Sequence, residues 1–494
     1  MKSSSSMQEG ILRNYLNTNA DTEYGREYYF SKLNTYQDFA EAVPIVDDFL
    51  LLHPYIDNMA NGQGDILFKG KPLFFETTSG STSNAKWIPY NAQLKREFQA
   101  AVAVWMKDVY RHCPAAFNGP SYWSISPALK DKETTTAGIP VGITSDTDYF
   151  NPLTAYFLKQ LFAVPSNLGS IRDAHHFYLQ TWRHLLSRPD LSFVSVWSPN
   201  FLLNLDAFLR ANLEEILQTS LISSNRKNEV KWLVGNGSSW QRLFPKLALV
   251  SCWTQAQAAI WLPKLKAVLG DVPIQGKGLL STEGVVTIPL GFYQHILAYT
   301  SQFYEFRLPE TEKIFRAHEL ESDAIYEVIL TTGGGLYRYC TKDLVRCTVY
   351  VESVPCLEFV GRGSGVSDMV GEKISEVAVN GILAKLVTEC PINSAFLYPV
   401  QMAHSAKYLL IVESNEELEV ASLTIGVENE LSKNPYYKQA LAIGQLSKLE
   451  LLKMPIGFSD NLYLQHKKVR KLKDGDVKLP LLLHLKSLES IIGC

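Results

Sequence analysis

The sequence predicts an α/β protein: a large N-terminal domain of parallel-sheet α/β subdomains, then a smaller C-terminal α+β domain. Three observations lead there. Strand-like and helix-like stretches alternate over most of the 494 residues, as they do where helices cover parallel sheets. Three glycines in Gly361-Arg362-Gly363-Ser364-Gly365 make a hinge-like break, and the chain beyond it carries its own run of helices and strands. The composition, 46% hydrophobic and 20% charged, is that of a globular chain and excludes global disorder. At about 150 residues per domain the length corresponds to roughly three domain-sized units. The division expected is a large domain, residues 1–362, and a small mobile domain, residues 363–494.

The elements follow in order. Leu73-Phe74-Phe75-Glu76 and Trp87-Ile88-Pro89 are strand-like and flank a loop rich in serine and threonine. Asn91 is placed to cap a helix whose apolar positions Leu94, Phe98, Val102, Trp105 and Val109 recur three or four apart. Phe193 to Trp197 is a strand, and Ser198-Pro199 supply an N-cap and an N1 proline for the next helix. Leu247 to Trp253 is a buried strand, followed by a helix over 255–269 and a short strand near Lys277–Leu280. Tyr326–Leu330 and Leu336–Cys340 flank Gly333-Gly334-Gly335 as a hairpin. In the C-terminal part the pattern predicts helices near 372–388, 417–432 and 435–443, with strands near 394–400, 407–413 and 446–452. The basic run Lys467 to Lys473 is expected on a solvated hairpin edge.

Charge and cysteine usage narrow the function. Forty-seven Lys plus Arg against fifty Asp plus Glu leave a net charge of −3, which excludes a generally cationic nucleic-acid binder. No apolar run reaches the roughly 20 residues of a membrane helix, and Met1-Lys2 followed by four serines is unlike a secretory signal. Seven scattered cysteines without a Cys-x-x-Cys pair fit a reduced, cytoplasmic chain. His175, His176 and His184 have no ligand partners at metal spacing, and no Gly-x-Ser-x-Gly elbow is present.

The chemistry-bearing signal is Thr77-Thr78-Ser79-Gly80-Ser81-Thr82-Ser83-Asn84-Ala85-Lys86. Six of the seven residues 77–83 are hydroxylic. Such a loop offers many N–H and O–H donors to a polyphosphate, although a solvated connector would read the same way. A Walker A loop is ruled out, because Lys86 follows Ala85 and leads into a strand rather than a helix. Ser79 to Lys86 resembles the Ser-Gly-Thr-Thr-Gly-x-Pro-Lys loop of the adenylate-forming superfamily, which includes acyl-CoA synthetases, peptide-synthetase adenylation domains and luciferases. Three further segments follow in the superfamily's order. Leu279-Leu280-Ser281-Thr282-Glu283 stands where an aromatic-Gly-x-Thr-Glu segment is expected. Tyr339-Cys340-Thr341-Lys342-Asp343 stands for Tyr-Arg-Thr-Gly-Asp, and Gly361-Arg362, Asp368 and Gly371 for the hinge segment. Taken singly, Glu283 also reads as a solvated carboxylate and Asp343 as a surface carboxylate paired with Lys342 or Arg346.

Between these motifs the chain resembles the auxin-responsive acyl-amido synthetases of plants and their bacterial relatives. The stretches that carry this likeness include Asn19 to Arg26, Gly138 to Gly142, Val196 to Pro199, Gly276 to Gly284, Gly371-Glu372-Lys373, Asn434 to Tyr437 and Gly475 to Lys478. The resemblance implies an ATP-dependent ligase that makes an acyl adenylate from a carboxylic acid and then passes the acyl group to an amine, usually of an amino acid. It implies that Ser79, Gly80, Ser81, Thr82 and Ser83 cradle phosphate, and that Thr282 and Glu283 contact AMP and Mg²⁺. Asp343 would hold the ribose, Arg362 and Lys373 would contact ribose and phosphate, and Glu283, Lys373 and Lys478 would be catalytic. Small-molecule acid and amine are the implied partners, with neither nucleic acid nor membrane; a carrier protein is not indicated. The alternatives are a thioester ligase acting on coenzyme A or a carrier protein, and a homologue that binds nucleotide or acyl group with impaired catalysis. Ser83, Cys340 and Lys342 depart from the pattern and motivate the last of these.

Overall fold

In the computed structural model the chain folds as two compact units, and residues 4–77, 86–123, 133–142, 161–171, 173–309, 311–363, 365–401, 406–442, 444–470 and 477–483 are described. The first unit comprises residues 1–197, 207–252 and 271–359; the second comprises 198–206, 253–270 and 360–494.

Among the described residues three sheets build the first unit. One is wholly parallel, with Ser121–Trp123, Phe193–Ser195, Leu249–Cys252 and Ile274–Gly276 side by side in chain order. Its two central strands are buried on both faces, as parallel strands covered by helices must be. A second sheet pairs Phe74–Thr77 antiparallel with Trp87–Tyr90 and adds two short strands. Pro89 is tolerated in Trp87–Tyr90 because that strand is at the sheet edge. The third has seven strands, including the long pair Ile325–Thr331 and Tyr339–Val351. Only its central hairpin was readable from the glycines, since antiparallel partners far apart in sequence leave no local signature.

Local signals explain the helices that frame these sheets. Asn91 accepts a hydrogen bond from Leu94 N and starts the helix Ala92–His112, which buries Leu94, Phe98, Trp105 and Val109. Asp173 caps Ala174–Leu186 through His176 N. His175 and His176 are exposed on that helix, and His175 pairs with Glu215 at 2.9 Å. Tyr304, Phe306 and Tyr337 are core side chains, at most 1% exposed.

In the second unit Ser394–Gln401 and Ala406–Glu413 pair antiparallel, and Glu450–Met454 joins in parallel. Helices Glu376–Glu389, Val420–Leu431 and Pro435–Ala442 contribute Leu383, Val427 and Tyr437 to a shared core.

Several expectations are corrected. The stretch after Cys252 begins as a 3₁₀ helix, Ala256–Trp261, and becomes α-helical at Leu262–Leu269, where Pro263 occupies the first turn. The strand expected at 277–280 is Ile274–Gly276: Gly278 has φ +82° and ends the extended run. The last strand is Glu450–Met454 rather than 446–452. The described part of the basic run lies on the helix Phe458–Arg470, not on a hairpin. No described helix is long and apolar enough to cross a membrane.

Candidate active site

The hydroxyl-rich loop joins two antiparallel strands, so its ends are fixed beside each other by four residue pairs, Phe74 with Tyr90 through Thr77 with Trp87. Ser79, Gly80, Ser81, Thr82 and Ser83 themselves lie outside the described residues. What leaves the loop reaches both later motifs. Lys86 donates from Nζ to the Tyr339 hydroxyl at 2.8 Å, and its ammonium lies 5.5 Å from the ring centres of Tyr339 and Phe49. Tyr90 donates its hydroxyl to the Thr282 carbonyl at 2.6 Å.

Around Thr282 the chain makes a tight turn, with Ser281 N donating to Gly284 O at 2.9 Å. Gly284 allows the buried Gln302 side chain to approach, since a Cβ there would meet its amide at 2.4 Å. The Thr282 hydroxyl donates to Glu283 Oε2 at 3.0 Å, and Glu283 is 6% exposed.

Asp343 stands on a bulge of the central hairpin. Glu327 faces Leu344 and Ile329 faces Cys340, so Thr341, Lys342 and Asp343 all lie opposite Val328. The Thr341 hydroxyl donates to Val328 O at 3.2 Å and accepts from Asp343 N at 3.1 Å. Lys342 carries φ +64°, which explains why glycine suits this motif position. Here a lysine is held in that conformation by its ammonium, which donates to Asp47 Oδ1 at 2.5 Å. Asp47 also takes two hydrogen bonds from Arg307, at 2.6 and 3.0 Å. The Arg307 hydrogen bond, then Lys342, hold the Asp47 carboxyl down at about 2 against its partial desolvation. Arg307 also contacts Glu327 and the Cys340 sulfur, the latter at 3.5 Å. A guanidinium from two strands away in the sheet thus covers the position where the motif has arginine. Burial pushes the Cys340 thiol up to about 11, so it stays protonated.

The hairpin itself is docked on the helix that follows the loop. Gly333 N donates to both Glu97 carboxylate oxygens, at 3.1 and 3.2 Å, and Asn91 Nδ2 donates to Gly333 O at 2.7 Å. A Cβ on Gly333 or Gly334 would strike Gln93 or Leu94, so these glycines serve close approach. Burial raises Glu97 to about 7, although Tyr15, Gly333, Gln93 and Gln302 all donate to it.

Arg362, Lys373 and Lys478 belong to the second unit. The hinge segment is built around Glu372, which is fully buried and accepts from Met369 N, Val370 N and the Tyr408 hydroxyl. Asp368 accepts from Gly371 N at 2.8 Å. Lys373 is exposed with φ +47°. Asn434 Nδ2 donates to its carbonyl and to that of Glu372, both at 3.1 Å, and the Lys373 ammonium lies 5.6 Å from the Tyr436 ring centre. Two stretches far apart in sequence, Gly371 to Lys373 and Asn434 to Tyr437, are thereby one feature. Arg362 is half-buried near Glu376, whose carboxyl burial raises while Arg362 opposes the rise. Lys478 is exposed, with its ammonium 4.7 Å from the Trp253 ring centre.

Asp47, Arg307, Tyr90 and Glu97 escaped the sequence reading. A buried glutamate on the apolar face of a capped helix, as Glu97 is on Ala92–His112, was the one legible signal among them.

The chain matches the models "GH3 family N-terminal domain" over residues 1–231 and "GH3 family central domain" over residues 295–362, together more than half of its length. It is 23% identical over 421 residues to indole-3-acetic acid-amido synthetase GH3.4 of Arabidopsis thaliana, covering 75% of this chain and 69% of that protein. It is 21% identical over 420 residues to the 4-substituted benzoates-glutamate ligase GH3.12 of the same plant, covering 75% and 71%. The solved structure of the Arabidopsis acyl acid amido synthetase GH3.15 in complex with 2,4-DB superimposes with a TM-score of 0.87 at 18% identity, over 98% of this chain and 92% of that one.

Proposed function

This chain belongs to the GH3 family, and from that premise we propose that it is an ATP-dependent ligase joining a carboxylic acid to the amine of an amino acid. The observation that carries the reading is the double reach of one strand. Lys86 and Tyr90, which bracket the strand leaving the hydroxyl-rich loop, touch Tyr339 and Thr282, one in each later motif.

The roles follow from the chemistry each side chain offers. A carboxylate cannot expel oxide, so it first attacks the α-phosphorus of ATP and pyrophosphate leaves. Two anions meet in that step, and the protein has to supply positive charge and fixed donors. Residues 79–83 are assigned to the phosphates, with Lys86 at the loop's end. Asp343 is assigned to the ribose, since a carboxylate accepts from two hydroxyls at once. The Thr282 hydroxyl is assigned to the α-phosphate and, in the described state, is parked on Glu283. Among the described residues no cluster of His, Cys, Asp or Glu is set to chelate a metal. Magnesium keeps several waters and takes one or two carboxylates plus substrate phosphates, so the buried Glu283 carboxylate fits as its protein ligand. Bound there, the ion would neutralise phosphate charge. In the second half reaction the amine nitrogen attacks the acyl carbon, AMP departs, and the amine gives up a proton. Arg362 and Lys373 are assigned to ribose and phosphate contacts, and Lys373 and Lys478 are the candidate catalytic lysines, serving different half reactions. A cytoplasmic location is the corresponding expectation.

Acid-dependent pyrophosphate–ATP exchange tests the assignment. Glu283→Ala and Asp343→Ala are expected to abolish exchange in folded protein, and unchanged exchange in both overturns it. Incubation with ATP and mixed acids and amino acids, followed by mass analysis, identifies the amide.

A further inference from the structure

One buried carboxylate ties together the two segments assigned to the nucleotide. Glu97 stands on the buried face of the helix Ala92–His112 and is 4% exposed. Four neutral groups donate to it: the Tyr15 hydroxyl at 2.7 Å, Gln93 Nε2 at 3.1 Å, Gly333 N at 3.1 and 3.2 Å, and Gln302 Nε2 at 3.4 Å. Gly333 lies in the turn between Ile325–Thr331 and Tyr339–Val351, the hairpin that carries Asp343. Gln302 is fully buried, and its Oε1 accepts from Val285 N at 3.1 Å. Gly284 and Val285 directly follow Thr282 and Glu283. A continuous hydrogen-bonded line thus runs from Gly333 through Glu97 and Gln302 to the Glu283 turn. The helix Ser4–Thr18 grips both middle members: Tyr15 donates to Glu97, and Gln8 Nε2 donates to Gln302 O at 2.6 Å.

We propose that Glu97 and Gln302 are positioning residues for adenylation: the hydrogen bond between them sets the Asp343 hairpin against the Thr282–Glu283 turn, so that ribose and α-phosphate are presented together to the attacking carboxylate. This rests on the ligase reading above. Neither side chain is assigned to a reactant; each acts through the backbone N–H of the segment it holds. Packing alone would be served by an apolar side chain at position 97, and burying a carboxylate is costly. What the carboxylate adds is four acceptor positions in one plane, enough to hold several segments at once. The polarity of the line is also fixed. Gln302 Oε1 is committed to Val285 N, so its Nε2 faces Glu97, and Glu97 has to accept there. In-line attack on phosphorus depends on placement, and a displacement of about 1 Å can lower a rate about 100-fold.

That polarity makes the link testable by trading the two side chains. Glu97→Gln can keep an oxygen on Gly333 N, but it turns an amide NH₂ toward the NH₂ of Gln302. Gln302→Glu keeps an acceptor for Val285 N, but it sets a carboxylate against Glu97. The double variant Glu97→Gln/Gln302→Glu reverses donor and acceptor and re-forms the link. Pyrophosphate–ATP exchange is measured with a panel of aromatic and aliphatic acids, beside urea unfolding. The assay is run at about pH 8.5, where a carboxyl that titrates at about 7 is ionised. Each single variant is expected to stay folded and to lose about tenfold or more in kcat. The KM for ATP should stay within about threefold, because each segment still holds its own part of the nucleotide. The double variant is expected to recover to within about threefold of the parent kcat. Both single variants break the same link, so either one is read if the other does not fold. Four results overturn the inference and leave the ligase reading intact: a folded single variant that exchanges at the parent rate, a change confined to KM, a double variant no faster than the singles, or a loss that only tracks loss of folded protein. A parent without acid-dependent exchange overturns the ligase reading, and the inference with it.

Discussion

Removing a single oxygen, in Tyr90→Phe, tests whether the strand after the hydroxyl-rich loop positions Thr282 for chemistry. The Tyr90 ring is fully buried and stacked on Phe74, with ring centres 4.9 Å apart and planes 15° apart. Phenylalanine fills the same volume, so no cavity term enters. What disappears is the 2.6 Å hydrogen bond to the Thr282 carbonyl. Leaving a part-buried carbonyl without that donor costs about 1–2 kcal/mol. If the bond is fully needed only when Thr282 meets the α-phosphate, a loss of about 1.4 kcal/mol slows adenylation about tenfold. The assay is pyrophosphate–ATP exchange at saturating acid, run beside urea unfolding. The expected result is kcat down about tenfold with a smaller change in the KM for ATP, and stability lower by about 1–2 kcal/mol. A variant that loses the expected stability but exchanges at the original rate refutes the positioning role and leaves Tyr90 a packing residue only.

Two further outcomes follow from the charges behind the motifs. Lys342→Gly relieves a left-handed lysine but loses the Asp47 ion pair and gains unfolded-chain entropy, so its stability should stay within about 1 kcal/mol of the parent; Lys342→Val, β-branched at φ +64°, should cost about 2 kcal/mol, measured by urea unfolding. Glu97 has its carboxyl raised to about 7 by burial, above the ordinary 4.5. Between those pH values the unfolded chain releases a proton that the folded chain keeps, so stability falls as pH rises from about 4.5 to 7, by up to about 3 kcal/mol, and then levels off. Melting temperatures across that range should show this slope, and Glu97→Gln should flatten it.

Much of the local structure was legible because its causes are local. Asn91 caps a helix through Leu94, three residues on, and the apolar spacing behind it names four of the buried positions. Where tertiary packing overrides such signals the reading slipped, as at the 3₁₀ start over Ala256–Trp261 and the late strand Glu450–Met454.

The sequence alone determined the order of the motifs, the α/β class and the family likeness, because spacing, turn chemistry and residue type are written along the chain. It also marked Cys340 and Lys342 as departures without saying what they mean. Only the tertiary structure decided that: Arg307 covers Cys340, and Asp47, 295 positions away in sequence, anchors Lys342 in its left-handed bend. The tryptophans beside the Lys277 ammonium, Trp105, Trp123 and Trp197, likewise come from one helix and two strand ends far apart in sequence. Coulombic and aromatic contacts depend on separation in space, and that is set by how sheets stack and register rather than by distance along the backbone.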